Sequence, residues 1–512
     1  MTTREQFELE LAEARGRAAS GSSPSDAAEA PGDNDPLLAT RPETGAGDDT
    51  RPAPATDKEA LLATRPDATA GVPASPVTET ARGSATETFL AMDDLGLPCV
   101  HCGLCLDTCP TYRVLGTEAD SPRGRIYIME SVRRGEIPLQ GEAAEHLSRC
   151  LGCLACETAC PSGVSFGRRI EEFRPLLIEQ RSGTEKLRKD ALQKVYADPR
   201  MLSLGLRAAH VADRIGLSSV RRRIPGFGLL PAASQSDPAD ASLSPLRRSR
   251  LSQPLRARAR AAVLTGCVGD QIAPDINRDT VEVLQRNGVE IVEAGGQVCC
   301  GALALHSGRT DEAVALARTN VEAFARAQDV DFVVTTAAGC GAMMHEYAHL
   351  LRATEAATGA AALAARCRDV TEVLVDLGLQ MPSRPLALGV VAYHDACHLL
   401  HARGVAKAPR LVVEAAIGKP PVDLGENAIC CGSAGSYNLD QPELADALGR
   451  QKAHLARQRS ADVVAVGNIG CMMQIGRHLA LAGIPARVAH PIQLLAQAYR
   501  ASEQPPSPTR RP

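Results

Sequence analysis

The chain has 512 residues, of which 44% are hydrophobic and 23% charged, and its formal net charge is −4. This length predicts about three domains, and the balanced charge, the 3% aromatic content and the absence of Trp argue against nucleic-acid binding. No apolar run reaches the roughly 18 residues of a membrane-spanning helix, and the charged N-terminus does not resemble a secretory signal. We therefore expect a cytoplasmic protein.

The two ends of the chain differ in composition from its middle. Residues 1–87 are rich in Ala, Pro, Asp, Thr, Gly and Ser, which predicts a disordered extension because few apolar side chains are available for burial. Residues 504–512 are predicted to be a disordered tail. The four segments between them are a ferredoxin-type domain at 88–182, a helical segment with a flexible linker at 183–258, and two cysteine-rich domains at 259–380 and 385–503.

Cysteine is the most informative residue type in this sequence. Seventeen cysteines are present, none before Cys99, and sixteen of them fall into four groups of four. Disulfide frameworks are rare in the reducing cytosol, so metal binding is the leading explanation. The remaining Cys367 lies in a stretch that predicts a helix, and we interpret it as a structural thiol.

The first eight cysteines form two copies of a C-x₂-C-x₂-C-x₃-C-P pattern, at 99–110 and 150–161. In two-cluster ferredoxins the fourth Cys of each run ligates the other cluster, whereas a zinc site does not need two complete four-Cys runs. We therefore predict two [4Fe-4S] clusters with crossed ligand sets. The first set is Cys99, Cys102, Cys105 and Cys160, and the second is Cys109, Cys150, Cys153 and Cys156.

From residue 259 onward, short β-like runs alternate with amphipathic helical stretches. This alternation predicts α/β domains with parallel sheets, in which ligands sit at the carboxyl ends of strands. Cysteines follow the β-like runs, and their spacing occurs twice, which indicates an internal duplication. The two sets are Cys267, Cys299, Cys300 and Cys340, and Cys397, Cys430, Cys431 and Cys471.

In each set the adjacent cysteine pair is followed by glycine, and we therefore call the two domains CCG domains. The glycine permits a tight turn. The alternatives for each four-thiolate site are a further iron–sulfur cluster, zinc, or buried thiols without metal. Four histidines lie close to the predicted strand ends: His306, His394, His398 and His401. The spacing of His394, His398 and His401 fits a metal-binding set. All four also fit hydrogen bonding to cluster sulfur or packing and capping, and the last role is favoured.

Six phrases of the sequence are similar to one known family. They are CVHCGLCLDTCPTY, SPRGRIYIM (Ser121–Met129), LSRCLGCLACETACPSGV, CCGALALHSG, YHDACHLLHARGV and CCGSAGSYN. Over residues 88–500, approximately, the chain resembles the iron–sulfur subunit of glycolate oxidase, also called glycolate dehydrogenase. The expected multidomain fold is an α-helical, ferredoxin-like two-cluster domain followed by two similar α/β CCG domains with parallel sheets.

The resemblance implies an oxidoreductase complex in which FAD-binding partner subunits oxidise glycolate to glyoxylate. This chain would relay the electrons toward a quinone or another acceptor. It has no G-x-G-x-x-G run after a predicted strand, so FAD is expected on the partner subunits only, and no catalytic residue is expected here. Association with the inner face of the cytoplasmic membrane would be peripheral or through a partner.

Related families supply the alternative functions. The equivalent subunit of an anaerobic glycerol-3-phosphate dehydrogenase or of a D-lactate dehydrogenase has a similar layout, and heterodisulfide reductases use CCG sites for catalysis. Heterodisulfide reductase subunits often end the motif with CxxC, whereas this chain has Met343 and Gln474 at the corresponding positions. The missing fifth thiolates argue against a noncubane cluster of that type.

Overall fold

The structure is a computed structural model that describes residues 98–179, 183, 187, 199–217, 252–327, 329–426 and 429–503. The predicted disordered extension, the predicted tail and most of the predicted linker lie outside the described residues. Within the part of the chain that is described, no helix is both long enough and apolar enough to cross a bilayer.

The first described region is helical. Its helices are α1 Pro110–Leu115, α2 Pro122–Arg133, α3 Gly141–Ser148, α4 Ala155–Thr158 and α5 Phe166–Glu179, with a 3₁₀ turn at Glu118–Asp120. Helices α1 and α2 each begin at a proline, whose missing N–H is not needed in the first turn. The Ser121 hydroxyl caps α2 by accepting the Gly124 N–H at 2.9 Å. Gly124 packs so closely on the 3₁₀ turn that a Cβ would collide with the Glu118 carbonyl.

The first CCG domain contains a four-stranded parallel sheet in the order β2-β1-β3-β4. Its strands are β1 Ala259–Val263, β2 Val289–Val292, β3 Phe332–Thr335 and β4 Cys367–Asp369. The helices, including α6 in the linker, are α6 Pro199–Arg214, α7 Val268–Ile272, α8 Pro274–Arg286, α9 Ala302–His306, α10 Thr310–Arg326, α11 Ala338–Leu350, α12 Ala357–Arg366 and α13 Val370–Asp376. The prediction that Cys367 lies in a helix is wrong. The helix ends at Arg366, and the fully buried Cys367 begins β4.

The second CCG domain repeats this topology in the order β6-β5-β7-β8, again with all strands parallel. Its strands are β5 Val391–Tyr393, β6 Val422–Asp423, β7 Val463–Ala465 and β8 Arg487–Ala489. Its helices are α14 Lys407–Ile417, α15 Tyr437–Asp440, α16 Pro442–Gln458, α17 Ile469–Leu481 and α18 Pro491–Glu503. A π-helical turn at His398–Ala402 replaces α7. The predicted fold class and the duplication are confirmed.

The two CCG domains share a hydrophobic core. Leu284 of α8, Val413 of α14 and Leu495 of α18 belong to one buried cluster that also includes strand residues of both sheets. In addition, Arg500 of α18 forms an ion pair with Asp279 of α8. The C-terminal helix of the second domain therefore stabilises the first domain as well, because burial of its apolar face involves both.

A buried histidine joins the two domains at the ends of their sheets. His490 follows β8, and its Nε2 lies 2.9 Å from the carbonyl oxygen of Thr336, which follows β3. Because that carbonyl accepts only, Nε2 carries the proton. Burial lowers the pKa of His490 to about 4, so the ring is neutral near physiological pH.

We expect acid to weaken this part of the fold. Unfolded His takes up a proton near pH 6.5, whereas folded His490 resists protonation down to a pKa of about 4. Its contribution to stability is therefore complete above about pH 6.5 and is lost progressively as the pH falls from there toward 4, with about 2 kcal/mol of the loss between pH 7 and pH 5. In thermal unfolding, the Tm of His490→Gln should fall less between pH 7 and pH 5 than the Tm of the wild type. An equal loss in both proteins would contradict the assignment.

Candidate metal centres

The ferredoxin-type cysteines converge on two neighbouring cavities. One cavity is lined by Cys99, Cys102, Cys105, Cys156 and Cys160. The other is lined by Cys109, Cys150, Cys153 and Cys156. The fourth cysteine of each sequence run thus lies beside the first three of the other run, as in two-cluster ferredoxins. Ligation by these residues stays a prediction, and a set of four soft thiolates fits an iron–sulfur cluster.

The backbone around these cysteines is shaped by glycines at positive φ. Gly103 and Gly152 have φ values of 83° and 65°, a region that other residues rarely adopt. The turn at Gly152 brings its N–H to within 3.4 Å of the Cys150 Sγ. Backbone N–H groups that point at sulfur stabilise the negative charge of a thiolate, so this loop is suited to hold one.

A fully buried arginine lies against the second cysteine set. The Nη1 of Arg125, in α2, is 3.8 Å from the Cys109 Sγ, and its Nε donates to the His146 carbonyl at 2.7 Å. The fully buried Asp120 pairs with Arg125 at 3.4 Å and with Arg149 at 3.2 Å. This guanidinium gives a physical reason for the SPRGRIYIM phrase: it places positive charge beside thiolates that are negative when they bind metal.

At the first CCG site the four thiols form two pairs. The Cys267 thiol donates to Cys299 with 3.2 Å between the sulfurs, and the sulfurs of Cys300 and Cys340 are 3.4 Å apart. The Cys299 sulfur also accepts from the Gly301 N–H at 3.5 Å. The hydrogen bonds from Cys267 and Cys300 lower the pKa of Cys299 to about 3 in spite of its burial.

The second CCG site is more deeply buried and has additional polar neighbours. Its four cysteines are all buried and interact in the order Cys397, Cys430, Cys431 and Cys471. The Gly432 N–H donates to the Cys430 sulfur at 3.4 Å, and the Asn468 side-chain amide donates to the Cys471 sulfur at 3.4 Å. The His394 ring joins this site, with its nitrogen and the sulfurs of Cys431 and Cys471 all within 4.8 Å of one another.

A buried lysine makes the charge of the second CCG site differ from that of the first. Lys452 of α16 is fully buried and donates to the Glu426 carbonyl at 2.7 Å. Burial lowers the pKa of Lys452 to about 8, an effect that the nearby Cys431 opposes. The corresponding helix of the first copy, α10, also has 17 residues, and the fully buried Asn320 occupies the position of Lys452. The second site thus has a cation where the first has a neutral amide.

Both CCG sites open into one cavity of about 200 Å³. Thiols of both sites form part of its wall. The larger apolar side chains in the wall are Leu151, Leu264, Val268, Ile276, Leu303, Leu439, Ile469 and Met473. Concave apolar surfaces with a few polar groups are the usual form of small-molecule sites, so this cavity is a candidate site for a small molecule beside the CCG cysteines.

Close contacts connect the ferredoxin-type region to the second CCG site. Cys153 belongs to the same buried cluster as Cys397 and Cys430. The Tyr437 hydroxyl donates to the Arg149 carbonyl at 2.8 Å across the same junction. The second ferredoxin-type cavity and the second CCG site are therefore neighbours.

The four candidate histidines have different surroundings. His306 lies 2.9 Å from Glu171 of α5, and His401 lies 3.0 Å from the Thr158 hydroxyl, so both join the ferredoxin-type region to the CCG domains. The Nδ1 of His398 lies 3.6 Å from the Cys397 sulfur. His394 alone among these four lies between two cysteine sulfurs of one site. Sequence reasoning assigned no role to Arg125 or Lys452. The one signal that pointed toward either residue was the phrase SPRGRIYIM, which contains Arg125.

Comparisons with known proteins agree with this description. The family model "Cysteine-rich domain" matches residues 261–345 and 391–476, and "4Fe-4S dicluster domain" matches residues 97–164. The glycolate oxidase iron–sulfur subunit of Escherichia coli (strain K12) is 32% identical over 434 residues, covering 82% of this chain and 98% of the relative. The probable glycolate oxidase iron–sulfur subunit of Bacillus subtilis (strain 168) is 33% identical over 416 residues, covering 78% and 94%.

A more distant relative belongs to a different enzyme. A fumarate reductase (CoM/CoB) subunit of Methanothermobacter marburgensis is 26% identical over 407 residues, which cover 78% of this chain and 72% of the relative. Ferredoxin-type cysteine runs followed by paired CCG sheets define the class, an iron–sulfur protein of the electron-transfer type. Within that class the two nearly full-length matches are specific. The chain belongs to the glycolate oxidase iron–sulfur subunit family, which confirms the resemblance seen in the sequence.

Proposed function

We propose that this chain is the electron-transfer subunit of a flavin-dependent glycolate dehydrogenase complex. FAD-binding partner subunits would oxidise glycolate to glyoxylate, and the electrons would leave through this chain toward a quinone or another acceptor. The eight ferredoxin-type cysteines would hold two [4Fe-4S] clusters, which supply one-electron redox chemistry. The four cysteines of each CCG domain would hold a further iron–sulfur cluster or zinc.

The order of the cysteine sites in space carries this proposal. The first ferredoxin-type loop lies at the surface, where Cys102 is exposed and Val100 and Leu104 are 69% and 60% exposed. The second cavity is formed mainly by buried cysteines, and Cys153 packs directly against cysteines of the second CCG site. This order supports entry of electrons from a partner at the exposed loop and their exit at the CCG cavity. Exposed apolar side chains at the entry point suit a protein–protein contact.

The CCG cavity supports a quinone as the acceptor class. Its wall combines apolar side chains such as Ile276 and Met473 with polar groups including Ser433 and Asn438. A quinone head group needs both an apolar ring environment and hydrogen-bond donors for its two carbonyl oxygens. Peripheral association at the inner face of the cytoplasmic membrane, through a partner, would give the chain access to a quinone pool.

Anaerobic purification from the native host, followed by metal analysis and an activity assay, tests this proposal. We expect about 8 Fe per chain from the ferredoxin-type pair, additional iron or zinc from the CCG domains, and a flavoprotein that co-purifies. Dye reduction is then compared with glycolate, D-lactate and glycerol-3-phosphate. Glycolate turnover that requires the flavoprotein would support the proposal. Preference for another substrate would move the complex to a sister family, and a chain without iron would overturn the electron-transfer role.

A further inference from the structure

One histidine of the second CCG site has no equivalent in the first. His394 stands three residues before Cys397, whereas Leu264 stands three residues before Cys267. We propose that His394 is a ligand, through a ring nitrogen, of the metal centre held by the second CCG site. The two CCG sites then differ in ligand set, one with thiolates only and one with thiolates and an imidazole. This inference rests on the metal content proposed above for the CCG domains.

The backbone fixes the place of the His394 side chain. The His394 N–H donates to the Ala465 carbonyl at 2.9 Å, which continues the pairing of β5 with β7 one residue beyond the strand. The ring therefore lies at the carboxyl end of the sheet, where ligands of parallel sheets sit. A ring nitrogen, the Cys431 sulfur and the Cys471 sulfur all lie within 4.8 Å of one another.

The hydrogen bonding of the His394 ring is the second observation. The ring is fully buried, and neither Nδ1 nor Nε2 has a hydrogen-bond partner among the described residues. A buried polar group without a partner costs about 1–3 kcal/mol, and a neutral imidazole has both a donor and an acceptor to satisfy. A metal ion held by the adjacent thiolates would accept the lone pair. The buried His490 is a contrasting case, because its Nε2 is paired with a carbonyl.

The position of the fifth thiolate in the second site holds Gln474, which is not a soft sulfur ligand. Its side-chain amide donates to the Ala445 carbonyl at 2.8 Å. In the first copy the corresponding Met343 packs in an apolar cluster with Cys300. His394 therefore supplies an additional donor to the second site that the first site does not have.

The charges around the second site favour the same conclusion. Lys452 is fully buried close to Cys431, so the site holds a compensating cation at the position where the first site has the neutral Asn320. The potential of an iron–sulfur centre depends on the charge around it, and the buried ammonium of Lys452 favours the more negative, reduced state. We therefore expect the second CCG centre to be reduced more readily than the first when both hold iron.

Metal analysis of variants tests the ligand assignment. The full-length chain and its His394→Ala, His394→Cys and His490→Ala variants are purified anaerobically, and iron and zinc are counted per chain. We expect His394→Ala to lose the metal of one CCG centre and His394→Cys to retain it, because a thiolate can replace the imidazole. His490→Ala is the matched control, since it also removes a buried imidazole at a strand end of the same domain, and it should keep the full content.

The outcomes separate this inference from the proposed function. A wild-type chain with about 8 Fe and no zinc would show that the CCG domains hold no metal. That result would overturn both the metal content proposed for these domains and the ligation by His394. Additional metal that His394→Ala retains in full would overturn His394 ligation alone. Loss of metal in both alanine variants would show that the loss follows from unfolding, and the decision then falls to the wild-type protein.

Spectroscopy of the wild-type protein decides the question without a variant. If the CCG metal is zinc, its X-ray absorption should contain a Zn–N distance of about 2.0–2.1 Å beside Zn–S distances of about 2.3 Å. If it is iron, labelling histidine with ¹⁵N should change the hyperfine coupling of the reduced protein, because a histidine ligand places a labelled nitrogen directly on the cluster. A sulfur-only zinc shell, or an iron signal without histidine nitrogen, would overturn the proposal.

Discussion

The Cys153→Ser variant is expected to permit flavin reduction by glycolate in an assembled complex and to block electron exit to an external acceptor. Cys153 is buried, lines the second ferredoxin-type cavity and packs with Cys397 and Cys430 at the junction with the CCG domains. A serine hydroxyl is a harder and weaker ligand for an iron–sulfur centre than a thiolate. Acceptor reduction should fall by more than about 100-fold, because even residues that only support metal ligands cost 10–100-fold.

The matched control for this prediction is Cys367→Ser. Cys367 is also a buried cysteine, but it lies in β4 and outside the four sets, and burial raises its pKa to about 12, as expected of an inert thiol. This control should keep acceptor reduction. The measurement is anaerobic flavin bleaching by glycolate, followed by addition of the acceptor. A fully flavinated Cys153→Ser complex whose flavin is not reduced would contradict the division of labour, and normal acceptor reduction would contradict the relay.

Replacement of Arg125 by Met is expected to destabilise the ferredoxin-type region by about 3 kcal/mol, the low end of the range for breaking a buried ion pair. The methionine fills a comparable part of the space but leaves the fully buried Asp120 without one of its cationic partners. Arg149 still pairs with this carboxylate, which is why the lower value applies. The variant also removes the positive charge beside Cys109, so cluster retention should fall.

Chemical denaturation and iron content measure this second effect. In the double variant Arg125→Met with Asp120→Asn, both charges are removed, so part of the lost stability should return. Arg123→Met is the matched control on the same helix: this arginine is partly exposed, pairs with the partly exposed Glu118, and should cost less than about 1 kcal/mol. An Arg125→Met midpoint equal to that of the control would refute the role of the buried guanidinium.

Sequence reasoning succeeded where the information is local. The alternation of β-like runs with amphipathic stretches predicted the parallel α/β domains, and the cysteine spacing predicted their duplication. Short apolar runs marked the central strands such as β3 and β7. Edge strand β6 has two exposed residues and leaves no apolar run. Lys452 lies in an amphipathic helix, where a lysine usually indicates solvent. Its burial depends on contacts with loops that carry the neighbouring thiols and are distant in sequence. The pattern of a single helix does not predict such contacts.

The contact between α5 and the loop after α9 determines how the cysteine sites are held. Gly308 packs on the backbone at Arg174, where a Cβ would lie only 2.6 Å from main-chain atoms, and His306 is paired with Glu171 beside it. Together with the shared apolar cluster around Cys153, this contact packs the ferredoxin-type region directly against both CCG domains in the described part of the chain. In the proposed relay, tunnelling distances within the subunit would be set by packed side chains rather than by a swinging carrier. Electron flow through it should not depend on solvent viscosity.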